Sequence, residues 1–334
     1  MLNLDIMKNY SCLIEIRNFL AGTSVILGSI LLTSCLKDDT KKLESGENDK
    51  INILKTKYKI SEQDAIGQGV YLQFQGHRGN DTTVKAHSRN LVIATYTGEY
   101  STSTLFDATD SALNPNSSNE IFYVWGPARI IVGYSIAGIN LALTKMSEND
   151  SAWVLIPSSM AWGDYEPVFY KIKLLKIINN DSLYESQQMK LYADSLHFTD
   201  YKSDSLGETY SKIVAPSTDS IVRIGDSIYI DLRAYFVEAE SFVKWPKGRI
   251  FFPRTNVSSI ITYVFGDPDY FPRSAALDSA LIYMRKGETR EIISGYQNVY
   301  GAEGYLHPQN YFIVPPYMPV HYIITLKEVK PNLK

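Results

Sequence analysis

One succession of hydrophobic patterns runs along this chain twice, and that repetition decides what it can fold into. β-type runs come first, at Gly69–Phe74 and Asn90–Tyr96, with a further apolar and aromatic stretch at Glu120–Trp125. Val132, Ile136, Ile139 and Leu143 then recur at helical spacing and give a short helix one apolar face. Strands resume at Ala152–Ile156 and Val168–Ile177. The order returns at Thr209–Val214, Ser227–Phe236 and Ile260–Phe265, then a helix-like Ala275–Met284, then Arg290–Ile293 and Val320–Val329. A period of roughly 130 residues means two copies of one domain, because solenoid repeats recur every ~20–50. Strands, one short helix, then strands again predict the α+β class, each copy an antiparallel sheet wrapped around a single helix. The 334 residues leave room for two such cores, at 61–178 and 208–334. Between them, Leu183, Tyr184, Met189, Tyr192 and Leu196 stand at roughly helical spacing in a polar stretch, which predicts a linker helix within 179–207.

Ahead of the first copy, Lys8 and Arg17 precede an apolar run from Phe19 to Leu32. That run is shorter than the ~20 apolar residues of a membrane span and fits a secretory leader, with Met1 or Met7 as its start. It ends in Leu32-Thr33-Ser34-Cys35, which resembles the lipobox of bacterial lipoproteins. The resemblance implies cleavage after residue 34, lipid on Cys35, and an outer-membrane lipoprotein held to the membrane through that lipid. Cys12 lies in the leader and Cys35 is the lipid site, so no thiol remains for a disulfide and the mature fold relies on core burial. Leu36-Lys37-Asp38-Asp39 resembles the export signal of Bacteroidetes surface lipoproteins; a solvated tether start fits the same residues. Residues 35–60 are expected to form a flexible tether, since 41–50 are charged and lack hydrophobic periodicity.

The residues of the first copy then point to a family. Tyr96-Thr97-Gly98 ends a strand, and Phe106-Asp107 follows. A helix start is read in Ile130-Ile131-Val132-Gly133-Tyr134, with Met146-Ser147-Glu148-Asn149 after the helix. Ala161-Trp162-Gly163 forms a loop, and Phe169-Tyr170 opens the closing strand. In order and spacing these resemble the FKBP-type peptidyl-prolyl isomerases over most of the copy. The resemblance implies two FKBP-like domains, each an antiparallel half-barrel sheet wrapped around one short helix. The second copy departs further. Phe251 stands at the Phe position with Phe252 where the Asp belongs, Leu232 falls where the first copy has Tyr96, and Leu277 replaces the aromatic of the pocket floor. It keeps Val299-Tyr300-Gly301, the segment Ile313-Val314-Pro315-Pro316, and Tyr322 in the closing strand. The first copy has only the short loop Gly163–Pro167 there.

Prolyl isomerisation faces a barrier of ~18–20 kcal/mol because rotation destroys amide resonance. It needs a dry aromatic pocket that favours the twisted amide, with no nucleophile. By the resemblance, Tyr134 is the floor of the first copy and Tyr96, Phe106, Trp162 and Tyr170 its walls. Ile130 and Ile131 stand at the helix mouth, and Asp107 sits near the rotating carbonyl, with the Tyr96 hydroxyl holding either Asp107 or the peptide. Phe251, Tyr300, Ile313, Val314 and Tyr322 form a weaker peptide-binding set in the second copy. Trp162 lacks the hydroxyl of the Tyr usual in the family, and the same aromatics would also serve as a plain core. The expected function is therefore an isomerase and folding helper acting on proline-containing polypeptides. The alternative is a non-catalytic binding subunit of an outer-membrane protein assembly.

Other chemistry finds little support. The formal net charge of -3 gives no general attraction to nucleic acid. His77, His87, His197, His307 and His321 show no metal spacing, so no metal and no small-molecule cofactor is expected. Ser158-Ser159 has no nucleophile-elbow context. Asp181-Ser182-Leu183, Asp194-Ser195-Leu196, Asp204-Ser205-Leu206 and Asp219-Ser220-Ile221 resemble an O-glycosylation signal of exported Bacteroidetes proteins, and Asp-Ser pairs also serve ordinary turns.

Overall fold

A computed structural model describes residues 26–76, 84–110, 112–113, 126–198, 201–204, 207–237, 249–252, 259–267, 274–306 and 312–332. The leader before residue 26, the expected strand at Glu120–Trp125, His77 and His307 lie outside them. Residues 50–334 form one compact unit. Among the described residues no helix is long and apolar enough to cross a membrane.

The tether differs from expectation: α1 spans Ile26–Tyr58. Lys, Glu and Leu are good helix formers, and two residues one turn apart anchor its end. Leu54 is fully buried, and the Tyr58 ring stacks on Phe169 with centroids 3.7 Å apart. Ile51 packs with them, and three apolar contacts at the end of a charged segment make only a short pattern for a sequence reading to find.

The first sheet is built from β1 (Ala65–Gly67), β2 (Val70–Phe74), β3 (Leu91–Tyr100), β4 (Leu105–Ala108), β5 (Ala128–Ile131), β6 (Ser151–Ile156) and β7 (Val168–Ile178). Between β5 and β6 lies α2 (Ala137–Leu143). The strands run β1-β2-β6-β7-β3-β4, with β5 also on β3, and every pairing is antiparallel. Val132 and Ile136, expected on the helix, precede it. Its buried face is Gly138, Ile139, Ala142 and Leu143. A Cβ on Gly138 would clash with the Ile156 side chain, so glycine is what lets helix and sheet close together. Asn149 ends the following turn at φ 70, a left-handed position that Asn tolerates better than most residues.

After α3 (Asp181–Ser195) the second repeat follows as β8 (Tyr201–Asp204), β9 (Gly207–Ala215), β10 (Ser227–Phe236), β11 (Arg249–Phe252), β12 (Ile260–Val264), α4 (Ala275–Leu281), β13 (Thr289–Ser294), β14 (Tyr305–Leu306), β15 (Phe312–Val314) and β16 (Val320–Lys330). Its main sheet reads β8-β9-β13-β16-β10-β11 with β12 on β10, the order of the first. Even the irregularity is copied. The register slips after the third residue of the central strand in both, between Ile93 and Ala94 and between Tyr229 and Ile230. Such a bulge raises local twist, which curls a sheet around its helix. The chain is thus an α+β protein whose two seven-stranded antiparallel sheets each wrap around one short helix, with β14 and β15 forming a small third sheet among the described residues.

Equal registers make the repeats comparable residue by residue, and they show that α3 is more than a linker. As α1 covers the outer face of the first sheet, α3 covers that of the second, through Met189, Tyr192 and Ala193. Glu99 faces Phe169 as Tyr235 faces His321, and Trp153 stands in the first sheet where Glu291 stands in the second. The aromatic seam Tyr58–Phe169–Trp153 therefore becomes Tyr192–His321–Glu291. His321 is 4 % exposed, with Nδ1 3.2 Å from the Tyr192 hydroxyl and Nε2 3.7 Å from the Glu291 carboxylate. The other flank of α3 reaches both repeats: Tyr184 packs with Leu91, Ile93 and Ile178, while Asp181 accepts from the Tyr296 hydroxyl at 2.7 Å.

Candidate functional site

On the concave side of the first sheet, neighbouring strands bring a set of rings together. Tyr96 and Tyr100 lie on β3, Phe106 and Asp107 on β4, and Tyr170 on β7. Gly98 sits among them because nothing larger fits: a Cβ there would lie 2.5 Å from the Phe106 ring and 3.0 Å from Tyr170. The rings meet edge to face, with centroids 5.9 Å apart for Tyr96–Tyr170 and 5.6 Å for Phe106–Tyr170. Trp162 closes the set against Phe106 at 5.3 Å and remains 48 % exposed. Met160 and Ala161, on the turn that carries Trp162, pack against the same core.

One polar contact is embedded in this apolar set. The Tyr96 hydroxyl donates to Oδ2 of Asp107 at 2.7 Å. Burial first, then the charge and hydrogen bond of Asp107, hold the Tyr96 phenol well above its ordinary range. Burial and Asp107 push Tyr170 up as well. Both phenols therefore stay protonated donors at any physiological pH. The cluster offers apolar ring faces, an acceptor carboxylate and no nucleophile.

Of the residues picked from sequence, Tyr96, Phe106, Asp107, Trp162 and Tyr170 come together, and Ile130 packs on the same core. Ile131 does not. Alternation along β5 turns it to the opposite side, against Leu91, Ile93, Ile178 and Tyr184. Tyr134 is not the floor either: it is 77 % exposed, on a turn where Gly133 takes φ 105. The helix begins only at Ala137, so Gly133-Tyr134 imitates a glycine–aromatic helix start outside the helix. Ile139, 5 % exposed, belongs to the core on which the rings of Tyr96, Tyr100 and Phe106 pack, which makes it the candidate floor. It is the third residue of α2 as Leu277 is the third of α4, so this position is aliphatic in both repeats. Sequence reasoning counted Ile139 as core and passed over it as floor, along with Ile136 and Tyr100; Gly138-Ile139 followed by Ala142-Leu143 was the available signal.

In the second repeat Asp107 opposite Gly98 becomes Phe252 opposite Ala234, and Leu232, fully buried, holds the register of Tyr96. The Tyr322 hydroxyl lies 3.1 Å from Ser274 Oγ and 3.4 Å from the Tyr300 hydroxyl. Burial pushes Tyr322 up to about 12. Val314 is fully buried in that core. The side chains of Phe251 and Ile313 lie outside the described residues. The hydroxyls of Ser274, Tyr300 and Tyr322 are thus engaged with one another.

No protein-family model and no curated protein matches the chain. Solved structures do. Over 82% of its length it is similar to the three FKBP domains of wheat FKBP73, at 12% identity and a TM-score of 0.30, covering 99% of that chain. FkpA from Escherichia coli is similar over 45% of this chain and 62% of its own, at 14% identity and a TM-score of 0.33. A peptidyl-prolyl cis-trans isomerase from Pseudomonas syringae is similar over 46% of this chain and 97% of its own, at 16% identity and a TM-score of 0.33.

Proposed function

We propose that the first repeat grips X-Pro segments of polypeptides in its aromatic cluster and catalyses their cis-trans isomerisation. The observation that carries this reading is the Tyr96–Asp107 hydrogen bond set among the rings of Phe106, Trp162 and Tyr170. Apolar ring faces suit a proline ring and exclude water from the amide. The charge of a fixed carboxylate acts on the carbonyl carbon as the amide loses conjugation, and every 1.36 kcal/mol of preference for the twisted amide is about tenfold in rate. The test is an X-Pro exchange assay by NMR on residues 45–334. Asp107→Ala is expected to lower kcat/KM by about tenfold or more, whereas Tyr134→Ala leaves it unchanged. Full activity in Asp107→Ala would remove the assignment.

For the second repeat, binding without turnover is the better reading. Phe252 at the Asp107 register and the closed Tyr322–Ser274–Tyr300 contacts support it. The whole chain would then be a folding helper, or a binding subunit, tethered to the outer membrane through lipid on Cys35. Cys35→Ser is expected to move the protein from the membrane to the soluble fraction, and an unchanged distribution would refute the tether.

A further inference from the structure

We propose that Glu166 is the positioning residue of this site, fixing Trp162 against Phe106, and that the end of α1 is thereby part of the site. The proposal rests on reading the cluster as a prolyl site, and it explains how so short a loop as Gly163–Pro167 can form one wall. Glu166 binds in two directions. Its Oε1 accepts from the Ser101 backbone N–H at 3.1 Å and from the Ser101 hydroxyl at 2.6 Å. Its Oε2 pairs with the Lys50 ammonium, which also donates to the Tyr165 carbonyl at 3.3 Å. Burial alone would raise the Glu166 carboxyl, but Lys50 and Ser101 outweigh it and hold the group below the usual carboxylate range.

Three segments meet at that carboxylate. Ser101 opens the turn between β3 and β4, and β4 carries Phe106 and Asp107. Glu166 follows Trp162 by four residues, in a loop that takes left-handed backbone at Gly163 (φ 75) and Tyr165 (φ 59). Lys50 belongs to the part of α1 fastened by Leu54 and Tyr58. The packing of Trp162 against Phe106, which would form one wall for a proline ring, is therefore held by a side chain that belongs to neither ring. Loss of the tie frees Trp162 while the buried core below is left intact.

The test uses residues 45–334 and the tetrapeptide Ala-Leu-Pro-Phe. Glu166→Ala is expected to raise KM by about tenfold with kcat nearly unchanged, the signature of lost uniform binding. Glu166→Gln, which keeps the acceptor for Ser101 but loses the ion pair, is expected to fall between. Lys50→Met in the Glu166→Ala background should add little, because only the longer contact to the Tyr165 carbonyl is left to lose. An unaltered KM in Glu166→Ala, in a protein that Asp107→Ala inactivates, overturns the proposal and leaves the prolyl reading standing. If the wild-type protein neither turns over nor binds the peptide, the prolyl reading fails; the indole N–H resonance of Trp162 then decides the positioning role. A resonance unmoved by Glu166→Ala overturns it, and one that shifts and broadens upholds Glu166 as the support of that ring.

Discussion

Gly98 carries more of the site than its size suggests. Its missing Cβ is the space into which Phe106 and Tyr170 lean, and the strand passes beneath them with no side chain of its own. Gly98→Ala would force both rings outward; overpacking of this kind costs about 1–3 kcal/mol. The expected outcome is a protein that melts cooperatively at lower urea and loses prolyl activity, measured together on one preparation; unchanged activity would mean that the rings do not form the site. The neighbouring Tyr96-Thr97 and Phe106-Asp107 were readable from sequence, because strand alternation and a two-residue signature survive without tertiary context. The floor was not. Gly133-Tyr134 and Gly138-Ile139 offer competing glycine-led starts five residues apart, and only the observed onset at Ala137, with Gly138 pressed on Ile156, separates them.

Among the elements, nine strands (β2, β3, β6, β7, β9, β10, β12, β13 and β16) and the two short inner helices were legible through their apolar patterns, while Ile130-Ile131, read as a helix start, forms part of β5. The outer helices were harder. α1 signals its docking only in its last turns, with Ile51, Leu54 and Tyr58, and the seam of α3 is partly polar, which blurs its periodicity. That polar seam makes a prediction. Replacing His321 by Phe, an aromatic as at Phe169, leaves the Tyr192 hydroxyl and the Glu291 carboxylate without the imidazole. The expected loss is about 1–3 kcal/mol in urea unfolding. Adding Tyr192→Phe should recover part of it, since residues in contact do not act additively. Strictly additive losses would show that the hydroxyl and the ring do not interact.

For the whole molecule, the buried phenols set an upper pH limit. Tyr296 and Tyr322 are pushed up to about 12, and Tyr96, Tyr170, Tyr192 and Tyr300 are raised too, each by burial first. A raised pKa means the fold holds the proton more tightly than the unfolded chain does. The contribution is therefore complete below the ordinary value of 10.0 and drains away as pH climbs through the folded values. Tm is expected to be flat from about pH 7 to 9 and to fall steeply above 10. Ultraviolet titration should show these six among the 24 tyrosines ionising only as the fold opens. Ionisation of all tyrosines near pH 10 in a still-folded protein would contradict the burial described.

Two like modules in one chain create a problem of mistaken partners, because either outer helix finds a sheet of matching register in the other repeat. The seams discriminate by where they place acceptors. Tyr58 gives its hydroxyl to Glu99, but at that register the second sheet offers Tyr235, which has no carboxylate. Tyr192 meets the His321 imidazole, but at that register the first sheet presents the bare ring of Phe169. An exchanged pairing would have to aim its phenol at a different acceptor, an imidazole in place of a carboxylate or the reverse, and would lose the geometry of its own seam. A chain emerging from its amino terminus can thus close the first module while the second is still being made, and α3, arriving next, has no reason to dislodge α1.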